Sequence, residues 1–372
     1  MIPWFYHLLS PDAESMPVIF RAAMAALFAF VLVLAFGARI IRWLITRKLG
    51  DNPEFHNQTL NELTKQKTNT PTMGGIALIG AILVSTLIMA DVVGNFYVRM
   101  ALFCLVYLAI LGGVDDWLKL TQARRNPGSR DGLYAYEKLL FQVGLGVLLA
   151  LFIYYHPAKS GSAEGFFTAQ KLNWPFLRDL ALPAWVFAIL TVVVITGSSN
   201  AVNLTDGMDG LAAGCMTIVC VSFMLLSYVT GDTRWSVQLE LHHVTQVGEL
   251  AVVCGAMAGA CLGFLWFNCN PALVFMGDTG SLSLGGVIGY VAIVIRQEHM
   301  LFLVGGIFVL EAVSVLMQVS YFRFTGGKRI FLCTPIHHHF HMKGWTETQT
   351  VVRFWLICAL CSMIALATIR IM

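Results

Sequence analysis

Five aspartates carry most of the chemistry this chain could perform, and each stands at the end of an apolar run. Asp115 and Asp116 open the segment Asp115-Asp116-Trp117-Leu118-Lys119. Asp206 and Asp209 lie in Asn203-Leu204-Thr205-Asp206-Gly207-Met208-Asp209-Gly210, and Asp278 lies in Phe275-Met276-Gly277-Asp278-Thr279-Gly280-Ser281, a few residues after Asn268. A fourth cluster, Pro335-Ile336-His337-His338-His339, follows another apolar run. Carboxylates delivered from several helix ends form a hard oxygen site, and Mg²⁺ favours one or two carboxylates completed by substrate phosphates. A diphosphate substrate is therefore implied. Lys67, Lys119 and Lys138 could offset the charge of a transferring phosphoryl group.

Each cluster also has a plainer reading. If a helix continues through Asp115 and Asp116, their side chains diverge by about 100°. Asp115 then shares a face with Lys119 at i,i+4. The two carboxylates should have different tasks, or the pair simply meets water at a helix end. Asp206 and Asp209, with Gly207 and Gly210, suit a tight turn opening a helix, where a carboxylate is either an N-cap or a metal ligand. Asp278 precedes a small-residue helix containing Gly285, Gly286 and Gly289, which also suits close helix packing. Three consecutive histidines cannot converge on one ion from regular helix or strand, which argues against a zinc site. One or two of them at most would touch a ligand.

The elements that position these groups follow from composition. The chain has 372 residues, of which 57% are hydrophobic and 12% charged, against roughly a quarter charged in ordinary soluble domains. A water-soluble surface cannot be assembled from this. Ala22–Gly37, Met73–Ala90, Met100–Val114, Leu139–Tyr155, Leu180–Thr205, Gly210–Gly231, Leu250–Gly277, Thr279–Ile295 and Phe354–Ile369 contain no Asp, Glu, Lys or Arg, and Leu301–Phe322 is interrupted only by Glu311. These are ten candidate spans, and lipid offers the backbone no hydrogen-bond partners, so helices are required. The expected fold is an all-α polytopic membrane protein of ten transmembrane helices in one domain, residues 1–372, with the first span retained rather than cleaved. The nine cysteines form no CxxC pair and fall mostly in apolar runs, where they act as small hydrophobes.

Orientation follows from the loops. Arg47, Lys48, Lys65 and Lys67 after span one, Lys119, Arg124, Arg125, Arg130 and Lys138 after span three, and Arg323, Lys328, Arg329 and Lys343 after span nine share one side. The positive-inside rule places that side in the cytoplasm and both termini outside. All four polar clusters fall on the cytoplasmic face. An Asp at a helix centre costs on the order of 3 kcal/mol, so such groups mark function by default.

Taken together, Thr70-Pro71-Thr72-Met73-Gly74-Gly75, Asp115-Asp116, Asn203 through Asp209, Phe275 through Ser281 and Pro335 through Phe340 resemble, in order and spacing, the bacterial phospho-N-acetylmuramoyl-pentapeptide-transferases over nearly the whole chain. The resemblance implies a multi-pass enzyme of the bacterial inner membrane with a cytoplasmic active site. Such an enzyme moves phospho-MurNAc-pentapeptide from UDP-MurNAc-pentapeptide to undecaprenyl phosphate, with Mg²⁺ as cofactor and no nucleic-acid partner, giving lipid I and UMP. It further implies Asp278 as a Mg²⁺ ligand, with Asp206 beside it, and Asp115, Asp116, Asp278 and His337 as catalytic. Lys67, Thr72, Lys119, Lys138, Asn203, Asp206, Asp209, Asn268, Gln318, His338 and His339 are implied as substrate-binding. A homodimer is left open. The rival readings are a UDP-GlcNAc:undecaprenyl-phosphate GlcNAc-1-phosphate transferase and, in another class, a secondary transporter, whose site would lie at the bilayer midplane rather than at one face.

Overall fold

The computed structural model describes residues 16–47, 50–51, 70–125, 132–159, 171–174 and 177–369. In chain order the elements are α1 (Val18–Thr46), β1 (Gly50–Asp51), β2 (Thr70–Pro71), α2 (Gly75–Met89), α3 (Phe96–Arg125), α4 (Ala135–Lys159), β3 (Lys171–Trp174), β4 (Leu177–Ala181), α5 (Ala184–Thr205), α6 (Leu211–Gly231), α7 (Thr233–Gln238), α8 (Leu250–Asn268), α9 (Gly277–Val294), α10 (Glu298–Val304), α11 (Gly306–Phe324), α12 (Ile336–Met342) and α13 (Glu347–Ala367). The strands form two short antiparallel ribbons, β1 with β2 and β3 with β4. Everything else of consequence is helical.

Among the described residues nine helices are long and apolar enough to cross a bilayer. The expected second span is the exception, because α2 has only 15 residues and is about 22 Å long at 1.5 Å per residue. Its first turn starts late for a reason. Gly74 and Gly75 donate their amides to the carbonyls of Phe275 (2.9 Å) and Met276 (2.9 Å), and Phe275 donates to Pro71 (2.8 Å), so Pro71–Gly75 is pinned to the segment before α9. The apolar run 301–322 also departs from a single helix: it breaks between α10 and α11 at Gly305 and Gly306, where glycine removes the side-chain support for a straight helix. Conversely, the third span does not stop at Val114. Its helix runs on through Asp115 and Asp116 to Arg125.

Two helices form the centre. Every residue of α9 from Asp278 to Val294 is buried, and α9 lies between α3 and α5. Small residues make this possible: an added Cβ at Gly285 or Gly289 would strike α5 around Ser198, and one at Gly286 would strike Leu108 of α3. α8 packs on α1 along Gly255, Gly259 and Gly263, which meet the backbone of Ala22, Ala26 and Phe30 in turn. The four-residue step on both helices is the small-xxx-small pattern that lets backbones approach in lipid. Gly259→Leu is expected to lower the thermal midpoint in detergent through an overpacking cost of about 1–3 kcal/mol or more; an unchanged midpoint would show that α1 is not held by this stripe. The outer helices do the opposite and leave Leu27, Val31, Phe36, Leu316, Leu360 and Met363 exposed, which only a lipid surround tolerates on this scale.

Candidate active site

The site assembles where the ends of α3, α4, α5 and α9 meet. α3 carries Asp115 and Asp116 one turn, and Lys119 two turns, beyond Gly112, whose missing side chain lets α3 touch the backbone of Asp278 and Thr279. That contact brings a carboxylate from α3 onto the first turn of α9. Asp116 Oδ1 accepts from the amide of Asp278 (3.1 Å), and its Oδ2 accepts from the amide (3.0 Å) and hydroxyl (2.7 Å) of Thr279. A helix start leaves amides without internal partners and carries partial positive charge, so Asp116 caps α9 from a neighbouring helix. Gly277 has φ +73°, a conformation that favours glycine. A Cβ there would also meet Asp116 Oδ2 at 2.7 Å and Thr72 Oγ1 at 3.1 Å, which places Thr72 beside the same carboxylate.

Asp115 does different work. Its Oδ1 accepts from the amide of Leu133 (2.7 Å), and its Oδ2 meets Nζ of Lys119 (2.6 Å) and of Lys138 (2.7 Å). Both ammonium groups also reach Asp278 Oδ2, Lys138 at 2.7 Å and Lys119 at 3.2 Å. Asp278 Oδ1 accepts from Asn203 Nδ2 (2.8 Å), which also reaches Ser281 Oγ (2.9 Å). One turn further along α4 from Lys138, buried Gln142 ties the helix to α5 by donating to Ser199 Oγ (3.1 Å) and accepting from Asn200 Nδ2 (2.7 Å).

Asp115, Asp116 and Asp278 each offer a carboxylate oxygen within 4.8 Å of the others, and together they could hold a metal ion. All three donors are hard oxygens, with no thiolate or imidazole among them, which fits a hard divalent cation. Asp206 stands beside this group rather than in it. Burial, followed by the nearby charges of Asp278 and Asp116, pushes its pKa well above the usual carboxylate range. A bound cation would reverse that balance.

Other residues expected at the site act as braces. Asp209 Oδ2 accepts from Asn270 Nδ2 (3.1 Å) and the Ala272 amide (3.0 Å). Asn268 accepts from the Gly210 amide (3.1 Å) and donates to Val274 O (2.9 Å). Glu347 accepts from the Asp209 amide (2.8 Å), and Trp355 Nε1 donates to Gly210 O (3.3 Å), so the turn 206–210 is fastened from α8 and α13. Gln318 accepts from the amides of Ile330 and Phe331, both at 3.0 Å. His339 Nδ1 accepts from the Leu332 amide (3.1 Å), consistent with a neutral ring whose pKa burial and then Lys343 keep below the usual histidine value. His337 and His338 are buried, both close to Gly207. Lys67 lies outside the described residues.

Thr279, Ser281 and Glu347 were not expected as participants. Thr279 and Ser281 belong to a recognisable motif, yet nothing local marks their hydroxyls as partners of Asp116 and Asn203. Glu347 sits in a hydrophilic stretch where any acid looks solvated.

A multi-pass helical membrane protein with a buried acidic cluster met by two lysines at one end of its bundle is the frame of a membrane transferase that handles phosphates. Residues 98–296 match the family described as "Glycosyl transferase family 4". Over 380 aligned positions the chain is 40% identical to the phospho-N-acetylmuramoyl-pentapeptide-transferase of Desulfotalea psychrophila, covering 99% of each. It is 39% identical over 380 positions, 100% of each, to that of Caulobacter sp. strain K31. With that of Neisseria gonorrhoeae it shares 44% identity over 359 positions, 95% of this chain and 94% of the relative. The chain belongs to the phospho-N-acetylmuramoyl-pentapeptide-transferase family.

Proposed function

We propose that this chain transfers phospho-MurNAc-pentapeptide from UDP-MurNAc-pentapeptide to undecaprenyl phosphate, forming lipid I and UMP at the cytoplasmic face of a bacterial inner membrane. The observation that carries the reading is the meeting of Asp115, Asp116 and Asp278 at one point, with Lys119 and Lys138 across it. The relatives' shared name supplies the substrate class, and the basic loops flanking spans one, three and nine support the orientation. The whole chain acts as a single domain.

The acceptor is a phosphate monoester with a second pKa near 6, so at neutral pH it is mostly dianionic and needs little further deprotonation. Asp115 takes any remaining proton and orients the acceptor phosphate through the ammonium groups it shares. An acceptor oxygen then attacks the donor's β-phosphorus in line, forming one P–O bond as the bond to the α–β bridging oxygen breaks. That oxygen leaves on UMP. Lys119 and Lys138 lie where they offset the charge that builds on the phosphoryl oxygens. Asp116 holds the start of α9 so that Asp278 stays in place. Mg²⁺ held by Asp278 with Asp115 and Asp116 would supply Lewis-acid neutralisation of the diphosphate.

The test is UMP release by purified protein given UDP-MurNAc-pentapeptide and undecaprenyl phosphate. Release is expected to require Mg²⁺, to stop on chelation and to resume when Mg²⁺ is restored. Turnover of UDP-GlcNAc in place of the muramoyl donor would redirect the reading to the GlcNAc-1-phosphate branch, and substrate uptake into proteoliposomes without UMP release would end it.

A further inference from the structure

Glu311 is the one acidic residue in the apolar run 301–322, and it is fully buried within α11. No N–H or O–H among the described residues donates a hydrogen bond to either of its oxygens. Its one ionic neighbour among the described residues is His337 Nδ1 of α12, 3.1 Å from Oε1, and that side chain is likewise fully buried. The contact is at ion-pair range but not aligned as a hydrogen bond. On the far side of the ring, Nε2 has no hydrogen-bond partner among the described residues and is aimed at Gly207, where an added Cβ would stand only 2.5 Å from it. The other titratable groups around the pair are His338, whose ring lies 4.1 Å from that of His337, Asp206 next to Gly207, and the thiols of Cys215 and Cys358.

We propose that Glu311 and His337 form a buried carboxylate–imidazolium dyad, in which Glu311 is a positioning residue that keeps His337 charged with its Nε2–H directed at the Asp206–Gly207 turn. A bare carboxylate at this depth, without a single donor, is strongly unfavourable, and an adjacent cation is the available remedy. With a neutral ring the carboxyl would have to hold the proton itself. An imidazolium leaves the pair neutral and gives the turn a positive floor. The same turn borders a pocket of several carboxylates, so a cation beneath it favours the approach of a diphosphate. Gly207 matters here because a side chain at that position would collide with the ring. The catalytic consequence rests on the diphosphate-donor reading given above; the charge state of the dyad does not.

The experiment is NMR of ¹⁵N-histidine-labelled, full-length protein in lipid nanodiscs, with His337 assigned through its Ile336–His337 pair, the single Ile-His dipeptide in the chain. Both ring nitrogens of His337 are expected to be protonated at neutral pH, and Glu311→Gln is expected to leave a neutral ring. In parallel, Glu311→Gln should lower kcat about tenfold or more while KM for the nucleotide donor stays within about twofold, with Glu311→Asp recovering part of the loss. A neutral His337 ring in the unmodified protein overturns the proposal, as does full turnover in a folded Glu311→Gln variant. Should that variant fail to fold, the spectrum of the unmodified protein decides alone. Absence of UMP release from the unmodified protein would count against the diphosphate reading instead, whatever the ring's charge.

Discussion

Asp278→Asn is expected to reduce transfer by about 10³-fold or more, the range seen when a preorganised charged contact to a reacting phosphate or oxyanion is lost. The substitution keeps size and shape, so packing at the start of α9 should survive. What changes is polarity. Asp278 Oδ2 receives two ammonium groups and Oδ1 receives the Asn203 amide. Asparagine offers one accepting oxygen and one NH₂, so at least one of these donors would face another donor. The same change removes an anionic oxygen from the three that could hold a cation. UMP release measures the loss, and size-exclusion behaviour with the thermal midpoint in detergent verifies the fold. A folded variant retaining more than about a tenth of normal activity would remove Asp278 from the chemistry.

The second large effect separates two adjacent carboxylates. Asp116→Ala strips the acceptor from two amides and one hydroxyl at the buried start of α9, and loss of a helix cap alone costs about 0.5–2 kcal/mol. It should therefore lower the thermal midpoint and, because Asp278 rides on that turn, cut activity by about 100-fold as well. Asp115→Ala should cut activity at least as deeply yet leave the midpoint nearly unchanged. Its partners are the two lysines and one loop amide, and Lys119, already 39% exposed, can turn to water. Equal destabilisation by the two changes would contradict the division of labour, and so would an Asp116→Ala protein of normal stability.

Much of this was legible beforehand. Run length alone located the helices, because the bilayer is a solvent that admits no uncompensated backbone and few charges. The same logic marked Asp115, Asp116, Asp206 and Asp278 as exceptions needing a reason, and the i,i+4 spacing of Asp115 and Lys119 anticipated their ion pair. Glu311 was visible on identical grounds as the sole acid in its run, though not its partner.

What could not be read locally was which partner each group meets. Asp116 caps a helix that begins more than 160 residues later, and Asp209, Asn268 and Gln318 spend their hydrogen bonds on amides of neighbouring loops. Nothing in their own windows announces these contacts. The late start of α2 likewise depends on the carbonyls of Phe275 and Met276. Composition and patterning thus determined the solvent and the helices, since those depend on transfer free energies that each segment carries itself. The tertiary structure decided the roles, because hydrogen bonds and ion pairs act over about 3 Å, and only helix packing sets which atoms come that close.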